Sequence, residues 1–412
     1  MVDLLVRNAK PWGEDAVRDL AIEDGRFVRA GGAPRREIDA GGRLVVAGFV
    51  EPHIHLDKAF IRAECRVNQS GTLMEAIEII WDKKRRYTVE EVAARASRVI
   101  ESAAAHGVTR MRSHVDVDNI GGLVPIQGVA RARELCRDLV DLQIIAFPQE
   151  GIIRNEGTAS LMREAMAQGA DIVGGMPFNE ASPEDSRRHI DFAFELATEF
   201  DADIDMHVDE TDDPDARTLE MLADATLREG WEGRVTAGHT CALAGYPDDY
   251  AARVIAKVKQ AGIHMICNPA TNLVIQGRLD KQPVRRGITR VRELLEAGVN
   301  VSYGQDCVDD PFYPFGRVDP LEVALVMAHA AHLTKPSEIE TVFSMQNWHA
   351  AKVLRLDDYG FEQGAAGDLV LLDAFDAAQA IRERADRMVV VKRGRIVAET
   401  TTTRQVHRHA NQ

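Results

Sequence analysis

Leu44-Val45-Val46-Ala47-Gly48-Phe49-Val50-Glu51-Pro52-His53-Ile54-His55 decides how this chain reads. Its apolar run reads as a strand, with two histidines at the C-terminal end. Side chains two apart on a strand share a face, so His53 and His55 project side by side, as a pair of metal ligands must. Seven further strand-like runs follow at Thr109–Val117, Leu142–Gln149, Asp171–Met176, Asp203–Glu210, Val235–Thr240, His264–Asn268 and Asn300–Asp306. Helical periodicity marks Val89–His106, Leu161–Gln168, Asp185–Phe200, Ala216–Glu229, Tyr250–Ala261, Val291–Ala297 and Leu321–His332. Strand–helix units in this succession predict an α/β fold, a (β/α)8 TIM barrel. The alternative is a doubly wound open sheet, but no GxGxxG opens a helix.

Short apolar runs bounded by Gly or Asp flank this region at both ends of the chain. They include Asp3 to Asn8, Leu20 to Ile22 and Arg26 to Arg29, then Asp368 to Asp373 and Met388 to Val397. They predict one small antiparallel β-sandwich domain built from both termini. The expected division is 1–49 and 364–412 for that domain and its tail, with 50–363 forming the barrel. At 412 residues the chain has room for both, and 45% hydrophobic with 28% charged residues is ordinary for a globular protein. A net charge of −15 argues against nucleic acid or an anionic membrane as the main partner. No leader or membrane span is visible at the N-terminus, and five scattered cysteines suit a reducing cytoplasm.

Polar residues gather at the ends of the strand runs: His53, His55, His114, Gln149, His207, Glu210, His239 and Asp306. Those ends form the catalytic face of a (β/α)8 barrel. His53, His55, His207 and Asp306 supply three imidazoles and one carboxylate, a set suited to one Fe(II) or Zn(II) and poor for Mg or Ca. Such an ion makes a bound water acidic near neutral pH. Glu210, three residues past His207, is placed to take and pass on a proton, and His239 to share that work. The run Asp171-Ile172-Val173-Gly174-Gly175-Met176-Pro177 offers no Lys or Glu to bridge a second ion, so one metal is expected.

Several longer stretches resemble the amidohydrolase superfamily, and within it the cytosine deaminase family. They are Phe49 to Asp57, Asn68-Gln69-Ser70-Gly71-Thr72-Leu73, Ala146-Phe147-Pro148-Gln149-Glu150-Gly151, Asn272 with Gln276-Gly277-Arg278, and Arg285 to Val291. The resemblance implies a hydrolytic deaminase of an aminopyrimidine that uses one divalent Fe or Zn and assembles as a homo-oligomer. It implies His53, His55, His207 and Asp306 as ligands and Glu210 and His239 as proton carriers, with Asp306 also serving catalysis. Gln149 is implied as the reader of a ring carbonyl and its adjacent N–H, which suits an amide offering one acceptor and one donor. Phe147 neighbours it in the substrate pocket.

The chain departs from the family at two positions. Cytosine-specific members tend to read His-Asp-Asp where this chain has Gln305-Asp306-Cys307, and Phe312 stands where a Trp is common. A thiol in place of a carboxylate favours an apolar ring substituent such as a 5-methyl group, an effect of about 1–3 kcal/mol. Creatinine, isocytosine or an aminotriazine is the alternative substrate, and a barrel without catalysis the alternative of another class. His114 reads equally as a site or a structural residue, and Asp57 as a support for His55. His407-Arg408-His409 repeats the ligand spacing in a polar tail and reads as a frayed end. Lys83-Lys84-Arg85-Arg86 reads as cations at a helix C-terminus, where the dipole favours them.

Overall fold

The computed structural model describes residues 2–407. Its central sheet comprises β1 (Phe49–Ile54), β2 (Val108–Asp116), β3 (Asp141–Phe147), β4 (Ile172–Gly175), β5 (Asp203–Val208), β6 (Val235–His239), β7 (His264–Cys267) and β8 (Val301–Tyr303). Each strand runs parallel to the next in chain order. The strands are buried on both faces, β2 along its whole length, as a parallel sheet wrapped by helices requires. Backbone bonds at the mouth close the barrel: His55 N donates to Asp306 O at 3.0 Å and Asp306 N to His53 O at 2.8 Å. Glu51 reinforces this seam, its Oε1 accepting from His53 N at 3.1 Å and Gln305 N at 3.0 Å. Three of the proposed ligands therefore sit where the first and last strands meet.

The opening stretch is two strands rather than one. Leu44–Val46 pairs with Leu369–Leu372 in the terminal domain, and Phe49–Ile54 begins the barrel. Gly48 makes the break at φ 84°, and a Cβ there would lie 2.3 Å from Thr109 Oγ1. Strands from both ends of the chain form the small domain around a core that includes Leu4, Ile22, Phe27, Val45, Leu371 and Val391. Its pairing is mixed rather than wholly antiparallel, because Leu4–Pro11 runs parallel to both Arg36–Asp39 and Leu44–Val46.

Helices occur where the periodicity places them, with six more among the described residues at Leu73–Lys84, Val124–Leu135, Pro269–Ile275, Pro336–Ser344, Trp348–Val353 and Ala377–Glu383. The second is hard to read because Pro125 and Gly128 interrupt it. A Cβ at Gly128 would fall 2.5 Å from Val92, so glycine lets that helix press on Val89–Ala105. Lys83 and Lys84 do end a helix, but they are buried against carboxylates rather than solvated at its C-terminus. His407 is exposed, and Arg408 and His409 lie outside the described residues. No helix among the described residues is long and apolar enough to cross a membrane.

Candidate metal centre and active site

The strand ends bring His53, His55, His207, His239 and Asp306 together at the mouth of the barrel, all buried. Donor atoms of His53, His207, His239 and Asp306 lie within 4.8 Å of one another. His55 joins them, its Nε2 3.1 Å from His207 Nε2 and 3.3 Å from Asp306 Oδ1. His53 Nε2 is 3.6 Å from the same oxygen. Asp306 and His239 both hold left-handed backbone at φ 66°, a region that Asp and His adopt more readily than most residues.

These donors fit a divalent cation. His53 Nε2, 3.6 Å from the Asp306 carboxylate, is buried with no hydrogen-bond partner in the protein. Unpaired buried nitrogens are costly unless something else binds them. Burial lowers His55 to about 4, and burial with neighbouring imidazoles lowers His207 well below the ordinary histidine range, so both rings are neutral and able to ligate. Burial alone would raise Asp306, but its histidine neighbours hold it ionised, well below the usual carboxylate range.

Beside this cluster, Glu210 Oε1 lies 3.1 Å from His239 Nδ1. Burial, and then the Asp306 charge, pushes the Glu210 carboxyl well above its ordinary range. Burial lowers His239 to about 3. Asn272 Nδ2 spans the pair, donating to Glu210 Oε1 at 3.2 Å and lying 3.0 Å from His239 Nδ1, while Asn268 Nδ2 lies 3.1 Å from His239 Nε2. The two asparagines hold the Glu210 and His239 side chains in place.

One pocket opens over the cluster. Gln149, Glu210, Cys307 and Phe312 line it together with His55, His207 and Asp306. Phe147 lies behind that lining and stacks on His207 with ring centroids 4.2 Å apart, so it braces a proposed ligand rather than facing the pocket. His114 packs beneath the mouth, its ring 4.2 Å from His53 and its Nε2 3.5 Å from Asp205, which accepts from Arg112 at 3.0 Å. Asp57 accepts from Asp116 N at 3.3 Å and makes no hydrogen bond to His55, although their donor atoms lie within 4.8 Å. Burial, then the Asp116 charge, raises it to about 6.

Sequence reading gave no role to Lys58, which also lines the pocket. Its one signal is a lysine directly after His-x-His-x-Asp, at a strand end where a surface cation is out of place. Strand β4 contributes no donor for a steric reason: a Cβ on Gly174 would stand 2.4 Å from Ala146 O, and one on Gly175 would strike Met206.

A (β/α)8 barrel carrying a histidine–carboxylate cluster at its C-terminal mouth, with a buried Glu–His contact beside it, defines a class of hydrolases that work through a bound metal. The chain belongs to the amidohydrolase family, whose profile matches residues 36–86 and 70–398. It is similar to a 5-methylcytosine deaminase from Klebsiella pneumoniae, solved with 5-fluorocytosine: 35% identity, TM-score 0.94, covering 98% of this chain and 99% of that one. It is 31% identical over 411 residues to an N-isopropylammelide isopropyl amidohydrolase of Pseudomonas sp. (strain ADP), covering 96% of this chain and 97% of that protein. A pterin deaminase of Rhizobium rhizogenes is 32% identical over 389 residues, covering 92% and 87%.

Proposed function

We propose that the protein deaminates a small aminopyrimidine hydrolytically, converting cytosine or a 5-substituted cytosine such as 5-methylcytosine to the oxo product and ammonia. The observation that carries this reading is the sharing of one pocket by Gln149, Glu210 and Cys307 with His55, His207 and Asp306. His53, His55, His207 and Asp306 would hold a single Fe(II) or Zn(II), which when bound would supply the Lewis acidity that makes water a nucleophile at neutral pH.

The chain's own residues do the rest. Glu210, with a carboxyl raised by burial, accepts the proton that water loses and returns it to the ring nitrogen beside the attacked carbon. His239, 3.1 Å from Glu210, shares the transfer that lets ammonia leave. Gln149 holds the ring's carbonyl and N–H edge. Burial keeps the Cys307 thiol neutral, well above its ordinary range, so it serves as pocket wall and not as nucleophile. With Phe312 it forms an apolar surface suited to a 5-methyl group.

An oxo-substituted aminotriazine is the second reading, favoured by the likeness to the ammelide-acting relative. Ammonia release from cytosine, 5-methylcytosine, isocytosine, creatinine and an aminotriazine separates the two, and no release from any aminopyrimidine sinks the first. Cys307→Asp tests the pocket wall. It should shift the ratio of kcat/KM toward cytosine over 5-methylcytosine by roughly 10- to 200-fold, and an unchanged ratio rules out Cys307 as the selector. The five free cysteines match a reducing cytoplasm as the place of action. The expected homo-oligomer is checked by sedimentation velocity.

A further inference from the structure

A buried cluster of opposite charges lies against the pocket and has no part in the chemistry above. Lys58, Lys84, Asp116, Asp118 and Glu150 are each at most 7% exposed. Lys84 Nζ lies 2.6 Å from Asp116 Oδ2 and 2.5 Å from Asp118 Oδ2, and 3.6 Å from Glu150 Oε1. Lys58 Nζ donates to Asp116 Oδ1 at 2.8 Å and to Gln149 Oε1 at 2.6 Å. On its other side, Gln149 Nε2 donates to Glu150 Oε1 at 3.2 Å. Buried ion clusters are weak sources of stability, because desolvation offsets most of their attraction. Another role accounts better for this one.

Its contacts with Gln149 show what that role is. An ammonium only donates, and a carboxylate only accepts. The atom facing Lys58 is therefore the amide oxygen, and the atom facing Glu150 is the amide nitrogen. A flipped amide would set N–H against an ammonium and oxygen against a carboxylate, a costly arrangement for buried groups. Each clamp uses one lone pair or one N–H, which leaves one acceptor and one donor of Gln149 for a ligand.

We infer that Lys58 is a positioning residue for substrate selection: it locks the Gln149 amide in one orientation and so fixes the order in which a ring must present its carbonyl and N–H. The inference rests on the aminopyrimidine reading above. Cytosine and isocytosine test it well, because the two groups follow the amino-bearing carbon in opposite order. Moving along the ring, the carbonyl comes before the N–H in cytosine and after it in isocytosine.

The measurement is kcat and KM for both isomers with metal-loaded enzyme, its metal content checked by elemental analysis. The parent should favour cytosine. Lys58→Met should reduce the cytosine-to-isocytosine ratio of kcat/KM at least tenfold, and Lys58→Arg, which keeps a charged donor, should restore most of it. An unchanged ratio, or an equal loss on both isomers, would overturn the inference and leave Lys58 a structural cation. Should Lys58→Met not fold, Glu150→Gln removes the charge on the opposite clamp. A lowered ratio there supports the locked amide, and an unchanged one overturns it. A parent that turns over both isomers equally well overturns the Lys58 role alone. A parent that turns over neither sinks the aminopyrimidine reading, and the Lys58 role with it.

Discussion

In the proposed reaction Glu210 and His239 can share a proton only while their side chains stay within reach, and Asn272 bridges both. Glu210→Gln keeps the shape and the Asn272 contact but loses the exchangeable proton. It should lower kcat by about 10²–10⁴ with metal content unchanged. Stopped-assay ammonia release beside elemental analysis checks this, and a variant within threefold of the parent would show that Glu210 moves no proton. Most of this site was legible in the sequence because polar residues at strand ends cannot be explained by packing. Lys58 and the Asn268–Asn272 braces were not. Their meaning depends on partners far away in the chain, such as Gln149, 91 residues from Lys58, and no spacing rule carries that information.

Between elements, the join of the small domain to the barrel shows how buried charge follows from topology. Lys392, at the end of strand Arg387–Lys392, donates to Thr109 O on β2, to Asp141 Oδ2 on β3 and to Asp368 Oδ2, each at 2.9 Å. Arg110 pairs with the same two carboxylates. Burial lowers Lys392 to about 8, with Asp368 opposing that shift and Arg110 adding to it. The sign of the pH effect follows. Below pH 8 both states carry the proton, and the folded state bears the full cost of burying it. Between pH 8 and 10.5 the unfolded chain keeps a proton that the folded chain sheds, so stability rises with pH. Lys392→Met removes this dependence. The stability of the parent minus that of the variant, from urea unfolding, should therefore rise by up to about 3 kcal/mol from pH 7.5 to 10.5. A flat difference would show that Lys392 keeps its proton throughout. Long periodic helices were legible at this scale. The split of the opening stretch at Gly48 was not, because one apolar run serves two sheets and only the pairing of Val45 with Leu371 and of Phe49 with Val108 separates them.

Across the whole molecule, the proposed ligands lie on or just past the ends of β1, β5 and β8, the first strand, the last and one across the barrel. The β1–β8 seam rests on few backbone bonds, those between His53, His55 and Asp306, reinforced by Glu51. An ion held by these residues ties three strands at the point where the sheet is least continuous. It also satisfies His53 Nε2, which is otherwise buried without a hydrogen-bond partner. Folding and metal loading are therefore linked: a ligand bound only by the native state stabilises it by about 4 kcal/mol at a thousandfold excess over Kd. Removing the metal with a chelator should abolish turnover and lower the melting temperature by several degrees, and adding back Fe(II) or Zn(II) should restore both. Activity lost with no change in melting would mean that the ion serves chemistry alone and the seam holds without it. Chelation to metal-free protein that changes neither would remove the ion from the site altogether. Asp306→Asn separates the two contributions, since it weakens the ion's hold while leaving the backbone bonds of the seam in place. Its melting temperature should match that of the metal-free parent and should no longer respond to added metal.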